Sequence, residues 1–261
     1  MISVVTVNFN TAHHVLRSLE TLSMDSHPRI AQAIIIDNAS SDDSREQLAH
    51  LQGKVQIEWN QQNIGFGRAN NQAIEQVDTA YVCLVNPDVR LTDKSLTTMA
   101  EYVDAHPDVA AVGCAMVSRD GEVAAESFRY QPTKTASIAK YLHVPKGVRR
   151  ALGMPDYYMD LDALKDQTEP VDVDILSGAC MLMRVEAFRE VGGFDPEFFL
   201  YWEDTDLSVR LRQKGWKLHV LPTVEAIHFK TSSQSRQSVQ FWLQFGRSMG
   251  LYFKKRAQES L

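Results

Sequence analysis

Three carboxylates stand within four residues of one another in the second half of the chain. They are Glu203, Asp204 and Asp206, which follow the aromatic run Phe-Phe-Leu-Tyr-Trp at residues 198–202 and open a helical pattern. Carboxylates near apolar residues are costly unless they are paired, cap a helix or take part in chemistry. One at a helix start could act as a general base toward an acceptor hydroxyl. The alternative is a solvated first turn whose acids suit the helix dipole, but the flanking aromatic residues favour a partly buried cleft.

Two polar segments in the first half suit a nucleotide. Asp37 begins the run Asp-Asn-Ala-Ser-Ser-Asp. Its carboxylate can accept a hydrogen bond from a pyrimidine N3–H or a ribose hydroxyl. Helix capping by this segment is the competing interpretation. Asn63 begins a glycine-rich segment, residues 63–71, which predicts close backbone approach to a nucleotide, with a tight loop as the alternative. The third glycine of a dinucleotide fingerprint is missing and the first strand lacks a glycine turn, which argues against a nicotinamide cofactor.

The sequence Asn-Pro-Asp at residues 86–88 supplies a carboxylate that can bind one hard cation. Such a cation would bridge the two phosphates of a nucleotide donor. A turn is the competing interpretation, because Asn, Pro and Asp all favour turns. His228 follows a predicted strand much later in the chain and could complete the metal shell, although a lone histidine is more often structural.

Strands that alternate with helices must position these residues. The predicted strands are residues 2–9, 33–36, 55–59 and 81–85, and the predicted helices are residues 12–22, 67–77, 94–105 and one that opens near residue 42. This alternation predicts βαβ units and a mainly parallel sheet with right-handed crossovers. Ligands of such sheets bind beyond the carboxyl ends of the strands. Asn8, Asp37, Asn63 and Asp88 lie at or just after strand ends, so we expect them on one rim.

The later segments are less regular. Residues 129–158 carry six Lys or Arg residues and three prolines among apolar residues, which predicts a mobile, partly helical excursion from the sheet. Aromatic residues recur at helical spacing near the C-terminus, with basic residues that include Arg236. They predict an amphipathic helix that either lies on a membrane through residues 238–256 or packs on the catalytic domain or a second subunit. The predicted division is a catalytic domain at 1–233 and a helical extension at 234–261.

Bulk composition fits one globular domain. The chain has 261 residues, of which 44% are hydrophobic and 23% charged, and its net charge of −6 argues against nucleic-acid binding. Its three cysteines lie in apolar runs without a CxxC pair, which predicts buried free thiols in a reducing compartment. Neither a signal peptide nor an apolar run of about 18 residues is visible. We therefore expect a cytoplasmic protein, or one on the cytosolic face of the inner membrane.

In combination, the motifs resemble the family 2 glycosyltransferases, an inverting group, and most of all the bacterial rhamnosyltransferases of surface-polysaccharide assembly. The matching segments keep the family's order from residue 2 to about 233, and they are residues 4–10, 36–42, 63–71, 84–88, 176–182, 191–195, 199–207 and 228. The resemblance implies a single nucleotide-sugar-binding α/β domain, with a mainly parallel mixed sheet flanked by helices, of the glycosyltransferase A type.

The resemblance also implies roles on the donor side of the site. Asp37 would hold the nucleoside base and ribose, and Asn8 and Asn63 would line the same pocket. Asp88 would contact the donor diphosphate through a metal. Gly178 would lie in the loop that faces the donor sugar and the acceptor.

On the metal and acceptor side, Asp88 corresponds to the last aspartate of the family's DxD motif and His228 to its later metal ligand, so Mg²⁺ or Mn²⁺ is implied. Asp204 corresponds to the catalytic base. Glu203 and Trp202 are expected to bind the acceptor.

Two positions depart from the family's pattern. Asn86 replaces the first aspartate of DxD, as in the rhamnosyl-type branch, which removes one carboxylate from the metal site. Thr231 stands where many relatives have glycine, so the last loop is expected to close differently.

The implied reaction moves L-rhamnose from dTDP-rhamnose to a hydroxyl of a glycan or lipid-linked acceptor in cell-surface polysaccharide synthesis. Three alternatives stay open, namely a transferase of UDP- or GDP-sugars, a non-catalytic nucleotide-sugar-binding scaffold, and a nucleotidyltransferase. The last would be expected to have a basic, glycine-rich loop directly after the first strand, and residues 10–13 read Asn-Thr-Ala-His instead.

Overall fold

The computed structural model describes residues 1–24, 26–164, 166–229 and 239–259. In this part of the chain, nine strands form one mixed sheet, in the order β3-β2-β1-β4-β8-β6-β9-β5 with β7 beside β9. The strands are β1 Ile2–Asn8, β2 Ile30–Asp37, β3 Val55–Trp59, β4 Tyr81–Val85, β5 Val89–Leu91, β6 Val109–Val117, β7 Val171–Asp172, β8 Cys180–Arg184 and β9 Lys217–His228. Strands β1 to β4 are parallel to one another, whereas β8 runs antiparallel to β4 and β6.

Helices cover both faces of this sheet. They are α1 Ala12–Thr21, α2 Ser44–Leu48, α3 Phe66–Ile74, α4 Asp93–Ala105, α5 Lys134–Tyr141, α6 Lys146–Ala151, α7 Leu161–Leu164, α8 Val185–Glu190, α9 Glu203–Gln213 and α10 Val239–Glu259. Because both faces are covered, every residue of β4 and β6 is buried, which explains why these strands read as continuous apolar runs. One core cluster packs α1 and α4 on one face, and a second packs α3, α8 and α9 on the other.

The predicted mixed, mainly parallel α/β architecture is confirmed, with strands at 55–59 and 81–85 where they were expected. Strand β2 is longer than predicted, and the helix predicted over 67–77 ends at Ile74. Helix α2 begins at Ser44 because Asp42 accepts a hydrogen bond from the Ser44 backbone N–H at 3.0 Å, so Asp42 stays in the preceding turn. The excursion at 129–158 contains α5 and α6, as the partly helical prediction requires.

The aromatic face of α10 packs on the rest of the domain. The Trp202 ring lies 5.8 Å from Phe245 and 5.1 Å from Tyr252, and Tyr252 is 1% exposed. Arg256 pairs with Asp206 at 2.9 Å, so part of the predicted lipid-facing charge is used internally. The aromatic face therefore packs on the rest of the domain, as the alternative predicts, and membrane contact through residues 238–256 stays a prediction.

Three other predictions concern compartment and boundaries. All three cysteines are buried and free, as predicted. Within the residues that the structure describes, no helix is both long and apolar enough to cross a membrane. Thr231 and Arg236 lie outside the described residues, and the division of the chain at residue 233 stays a prediction.

Candidate active site

Four polar residues at the carboxyl ends of β1 and β2 and in the loop after β3 form a hydrogen-bonded group, the donor rim, which consists of Asn8, Asp37, Asn38 and Asn63. Parallel pairing of β1 with β2 sets Asn8 opposite Asp37, and the Asn8 Nδ2 donates to Asp37 Oδ2 at 2.7 Å. The other carboxylate oxygen accepts from the Ser40 backbone N–H at 3.0 Å. Each oxygen keeps a second lone pair for a ligand.

Asn38 is the member of the donor rim that the sequence prediction did not assign. Its Nδ2 donates to Asn63 Oδ1 at 2.8 Å, and its Oδ1 accepts from the Ile64 backbone N–H at 3.1 Å. It therefore holds the loop before α3 against the end of β2. The only sequence signal for it was its place directly after Asp37.

The glycine-rich loop approaches the protein's own backbone. Gly65 has φ +88°, and a Cβ on it would lie 2.4 Å from the Phe199 carbonyl oxygen. The Phe66 N–H donates to that same oxygen at 2.9 Å. Gly65 therefore makes the tight turn of the alternative interpretation, and close approach of segment 63–71 to a nucleotide stays a prediction.

A second group, the base region, consists of Arg129, Gly178, Glu203 and Asp204. The Asp204 Oδ2 accepts from Arg129 Nη2 at 2.7 Å and from the Gly178 backbone N–H at 3.1 Å. Arg129 also donates to the Leu176 carbonyl at 2.6 Å, so it joins the 176–178 loop to the start of α9. The Asp204 side chain is 17% exposed, and its Oδ1 accepts only from its neighbour Thr205 at 3.2 Å among the described residues. That oxygen can receive a proton.

Arg129 was not predicted as a site residue. In the sequence it is one of six basic residues in an irregular segment, with no motif around it. Its contact with Asp204 spans 75 positions and depends on isolated bridges that join Arg129 to Tyr158 and Ile175. Sequence spacing carries no signal for such a contact.

The three clustered carboxylates have different environments. Asp206 is tied to Arg210 at 2.7 Å and Arg256 at 2.9 Å, and its side chain is 1% exposed, so it is structural. Glu203 is 6% exposed and its Oε2 has no hydrogen-bond partner among the described residues. Of the three, Asp204 alone combines fixed hydrogen bonds with residual exposure.

The pKa values of the two adjacent carboxyl groups are driven apart. Burial raises the pKa of Glu203 to about 8, and the charge of Asp204 adds to the rise. Burial acts on Asp204 as well, but the charge and hydrogen bond of Arg129 outweigh it, so the pKa of Asp204 lies below its ordinary value. At neutral pH Asp204 is ionised and Glu203 is mostly protonated. Such divergence between neighbouring carboxyl groups is typical of acid–base sites.

Trp202 and Glu203 are covered by neighbouring elements. Trp202 is 3% exposed beneath α10, and both Tyr201 and Trp202 have positive φ values, 66° and 73°, which turn the chain sharply into α9. Two consecutive left-handed non-glycine residues store strain that the surrounding packing must hold. Direct acceptor contact by Trp202 and Glu203 stays a prediction.

The predicted metal ligands lie side by side. Pairing of β5 with β9 brings His228 next to Asp88, with 3.5 Å between His228 Nε2 and Asp88 Oδ2. Burial would raise the pKa of Asp88, but the hydrogen bond and charge of His228 lower it overall. Two ligands of one cation at about 2.1 Å each are separated by roughly 3 to 3.6 Å, so this spacing is also compatible with a shared cation.

The carboxylate oxygen of this pair suits Mg²⁺ or Mn²⁺, whereas imidazole nitrogen is a ligand typical of transition metals, so the pair fits Mn²⁺ better than Mg²⁺ as part of a shell. Within the described ranges, no group of three or more His, Cys, Asp or Glu residues could hold a metal. Donor phosphates or water would have to supply the other ligands. The Asn86 N–H donates to the Ala179 carbonyl at 2.8 Å, which links this segment to the loop that contacts Asp204.

Comparison with known proteins assigns the family. The model of glycosyl transferase family 2 matches residues 3–192, and a model described as the N-terminal domain of galactosyltransferase matches residues 164–232. The chain belongs to glycosyl transferase family 2. The resemblance drawn from the motifs is therefore confirmed, and the donor rim, the Asp88–His228 pair and Gly178 all lie within these two matched regions or at their overlap.

Relatives of this family 2 chain include named rhamnosyltransferases. It is 29% identical over 251 residues to the N-acetylglucosaminyl-diphospho-decaprenol L-rhamnosyltransferase of Mycobacterium tuberculosis, covering 90% of this chain and 78% of the relative. It is 27% identical over 237 residues to rhamnosyltransferase WbbL of Escherichia coli K12, covering 88% and 83%.

Among solved structures, GalNAc-T7 with UDP, GalNAc and Mn²⁺ matches with a TM-score of 0.68 at 14% identity. The match covers 96% of this chain but 47% of that structure's chain, so this chain spans about half its length. At this identity the likeness shows the fold alone, which is the glycosyltransferase A type that was predicted.

Proposed function

We propose that this family 2 chain is an inverting rhamnosyltransferase that moves L-rhamnose from dTDP-rhamnose to a hydroxyl of a glycan or lipid-linked acceptor. The observation that carries the proposal is the ionised Asp204, held by Arg129 and the Gly178 N–H beside the sheet. The names of the two relatives support rhamnose as the sugar. The mycobacterial relative's name also specifies a lipid-linked acceptor, which supports that acceptor class here.

The proposed reaction is a single in-line displacement. The Asp204 Oδ1 takes the proton of the acceptor hydroxyl as its oxygen attacks the anomeric carbon, and the nucleoside diphosphate leaves from the opposite side. Arg129 and Gly178 hold the Asp204 Oδ2, which fixes the orientation of the carboxylate. Glu203, which is mostly protonated at pH 7, adds little negative charge beside the base.

The donor rim is proposed to bind the nucleoside. Asp37 accepts from the thymine N3–H or a ribose hydroxyl, while Asn8 and Asn63 line the same pocket. A Mg²⁺ or Mn²⁺ held by Asp88 and His228 would supply positive charge that stabilises the departing diphosphate. We propose that the reaction takes place at the cytosolic face of the inner membrane, a compartment that suits the three buried free thiols.

Incubation with a panel of nucleotide sugars tests the proposal. The protein is given dTDP-rhamnose and a short polyprenyl diphosphate sugar, with Mg²⁺, with Mn²⁺ or with a chelator, and product is measured by mass spectrometry. Transfer from dTDP-rhamnose that the chelator abolishes is expected. Consumption of a UDP- or GDP-sugar alone would reject the donor. Thermal stabilisation by a nucleotide sugar without transfer or hydrolysis would instead indicate a binding scaffold.

A further inference from the structure

Helices α5 and α6 lie in a segment with an unusual charge. Residues 127–155 contain six Lys or Arg residues and no Asp or Glu, although the whole chain has a net charge of −6. Within this segment Arg129 forms an ion pair with Asp204, and Arg149 forms one with Asp156 at 3.5 Å. Lys134, Lys146 and Arg150 are exposed. The segment therefore presents positive charge to solvent on a chain that is otherwise acidic.

The same two helices expose large aliphatic side chains. Ile138 and Leu142 are 49% and 64% exposed, and Val148 and Leu152 are 46% and 64% exposed. Residues four apart share one face of a helix, so each helix presents an apolar pair to solvent. Val239 and Leu243 at the start of α10 add a third such pair. Together these six are half of the twelve large hydrophobic residues exposed in the described part of the chain.

The inner side of α5 is anchored next to the base region. Tyr141 packs against Trp242 and Phe245 of α10, with ring centroids 5.3 Å and 6.1 Å away. The Lys140 ammonium lies 3.9 Å from the ring centroid of Tyr157, which itself packs on Trp202 at 6.4 Å. Asp204 is two residues beyond Trp202. Helix α5 is thus fixed, through Tyr157 and Trp202, to the segment that leads into Asp204.

We propose that this helix-pair surface, which consists of Ile138, Leu142, Val148 and Leu152 with Lys134, Lys146 and Arg150, docks on an anionic phospholipid bilayer. The aliphatic side chains enter the headgroup region, and the three cations contact lipid phosphates. Exposed apolar residues among Lys and Arg, without acids, are the composition that favours such interfacial binding. The inference depends on this surface alone and not on the donor or the reaction proposed above.

Vesicle flotation of the full chain, without donor or acceptor, tests the inference. Vesicles of phosphatidylglycerol and phosphatidylethanolamine should bind the protein, vesicles of phosphatidylcholine should bind it weakly, and added salt should reduce binding. The Leu142→Ser/Leu152→Ser and Lys146→Gln/Arg150→Gln double variants should each bind these vesicles at least roughly tenfold more weakly than the wild type. All four positions are on the surface, so melting temperatures should match the wild type.

Two matched controls test whether vesicle binding depends on this surface or on exposed charge and apolar side chains in general. Lys94→Gln/Lys214→Gln removes two exposed cations outside the helix-pair surface. Val123→Ser removes an apolar side chain that is 38% exposed and also lies outside it. Both control variants should bind vesicles like the wild type. Absence of wild-type binding to anionic vesicles would overturn the inference. So would unchanged binding by either double variant. A wild-type dimer that Leu142→Ser/Leu152→Ser converts to a monomer, without vesicle binding, would assign the surface to a second copy instead.

Discussion

The donor rim and the base region are held together by different forces. In the donor rim, parallel pairing of β1 and β2 places Asn8 and Asp37 opposite each other, and neutral amides supply most of the hydrogen bonds. In the base region, a buried ion pair between Arg129 and Asp204 joins two segments outside the sheet. The backbone register therefore sets the geometry of one region, and charge pairing sets that of the other.

This difference predicts different consequences of mutation. A change in the donor rim removes a ligand contact while the strands keep their places, so donor affinity should change more than the chemical step. A change at Asp204 or Arg129 alters the orientation or the protonation of the carboxylate, so turnover should change more than donor affinity. Substitutions at Asp204, Asp37, Arg129 and Glu203 test this contrast.

The largest effect is expected for Asp204→Asn. Asparagine keeps the size of the side chain but cannot take a proton, so turnover should fall about 100- to 10,000-fold while donor affinity stays close to wild type. The adjacent Glu203→Gln variant is the matched control, because Glu203 is already mostly protonated at pH 7, and it should keep most activity. Rates, donor affinity and melting temperature are measured on the same samples. Near-normal turnover of Asp204→Asn with a lowered melting temperature would make Asp204 a structural residue.

Asp37→Asn should affect binding instead. Loss of a charged hydrogen-bond acceptor should weaken donor affinity roughly 10- to 100-fold, whereas turnover at saturating donor should change little. Isothermal titration with dTDP and steady-state rates separate the two quantities. Asp43→Asn, an exposed change after the same strand, should behave as wild type. A lower turnover of Asp37→Asn with unchanged donor affinity would contradict the assignment of donor binding to the donor rim and of the chemical step to the base region.

The same contrast explains what sequence could predict. Strands β3 and β4, and the meeting of Asn8 with Asp37, follow from apolar runs and parallel pairing, which are local signals. The pairing of Asp88 with His228 was available only through the family resemblance, because 140 positions separate them. Arg129 was missed since its partner is set by isolated bridges in an irregular segment. The aromatic face of α10 left two interpretations, and only tertiary packing shows that it contacts the rest of the domain.

Arg129→Lys should have a smaller effect on turnover. A lysine keeps the charge but cannot bind the Leu176 carbonyl and Asp204 in the same planar geometry, so turnover should fall roughly tenfold through misplacement of the carboxylate. Since the charge remains, the acid limb of the pH–rate profile should stay in place. Arg129→Gln removes that charge, which raises the pKa of Asp204 and moves the acid limb to higher pH. Identical profiles for the two variants would show that Arg129 does not control the protonation of Asp204.

The prediction most specific to the base region concerns stability at different pH values. The pKa of Glu203 is about 8 in the folded protein, so between pH about 4.5 and 8 the folded state holds a proton that the unfolded state has released. The free energy of unfolding should therefore fall as pH rises through this window. Glutamine does not titrate, so Glu203→Gln should lack this slope.

Urea unfolding of both proteins at pH 5, 6 and 7 measures this difference directly. The two stabilities should be closest at pH 5, and Glu203→Gln should become progressively more stable than the wild type toward pH 7. Glu186→Gln, an exposed change in α8, should follow the wild type at every pH, because the carboxyl group that it removes is in contact with water. Parallel curves for wild type and Glu203→Gln would mean that Glu203 ionises normally. In that case two negative charges would flank the acceptor at neutral pH, and the role of Arg129 would be to offset both of them rather than to orient Asp204 alone.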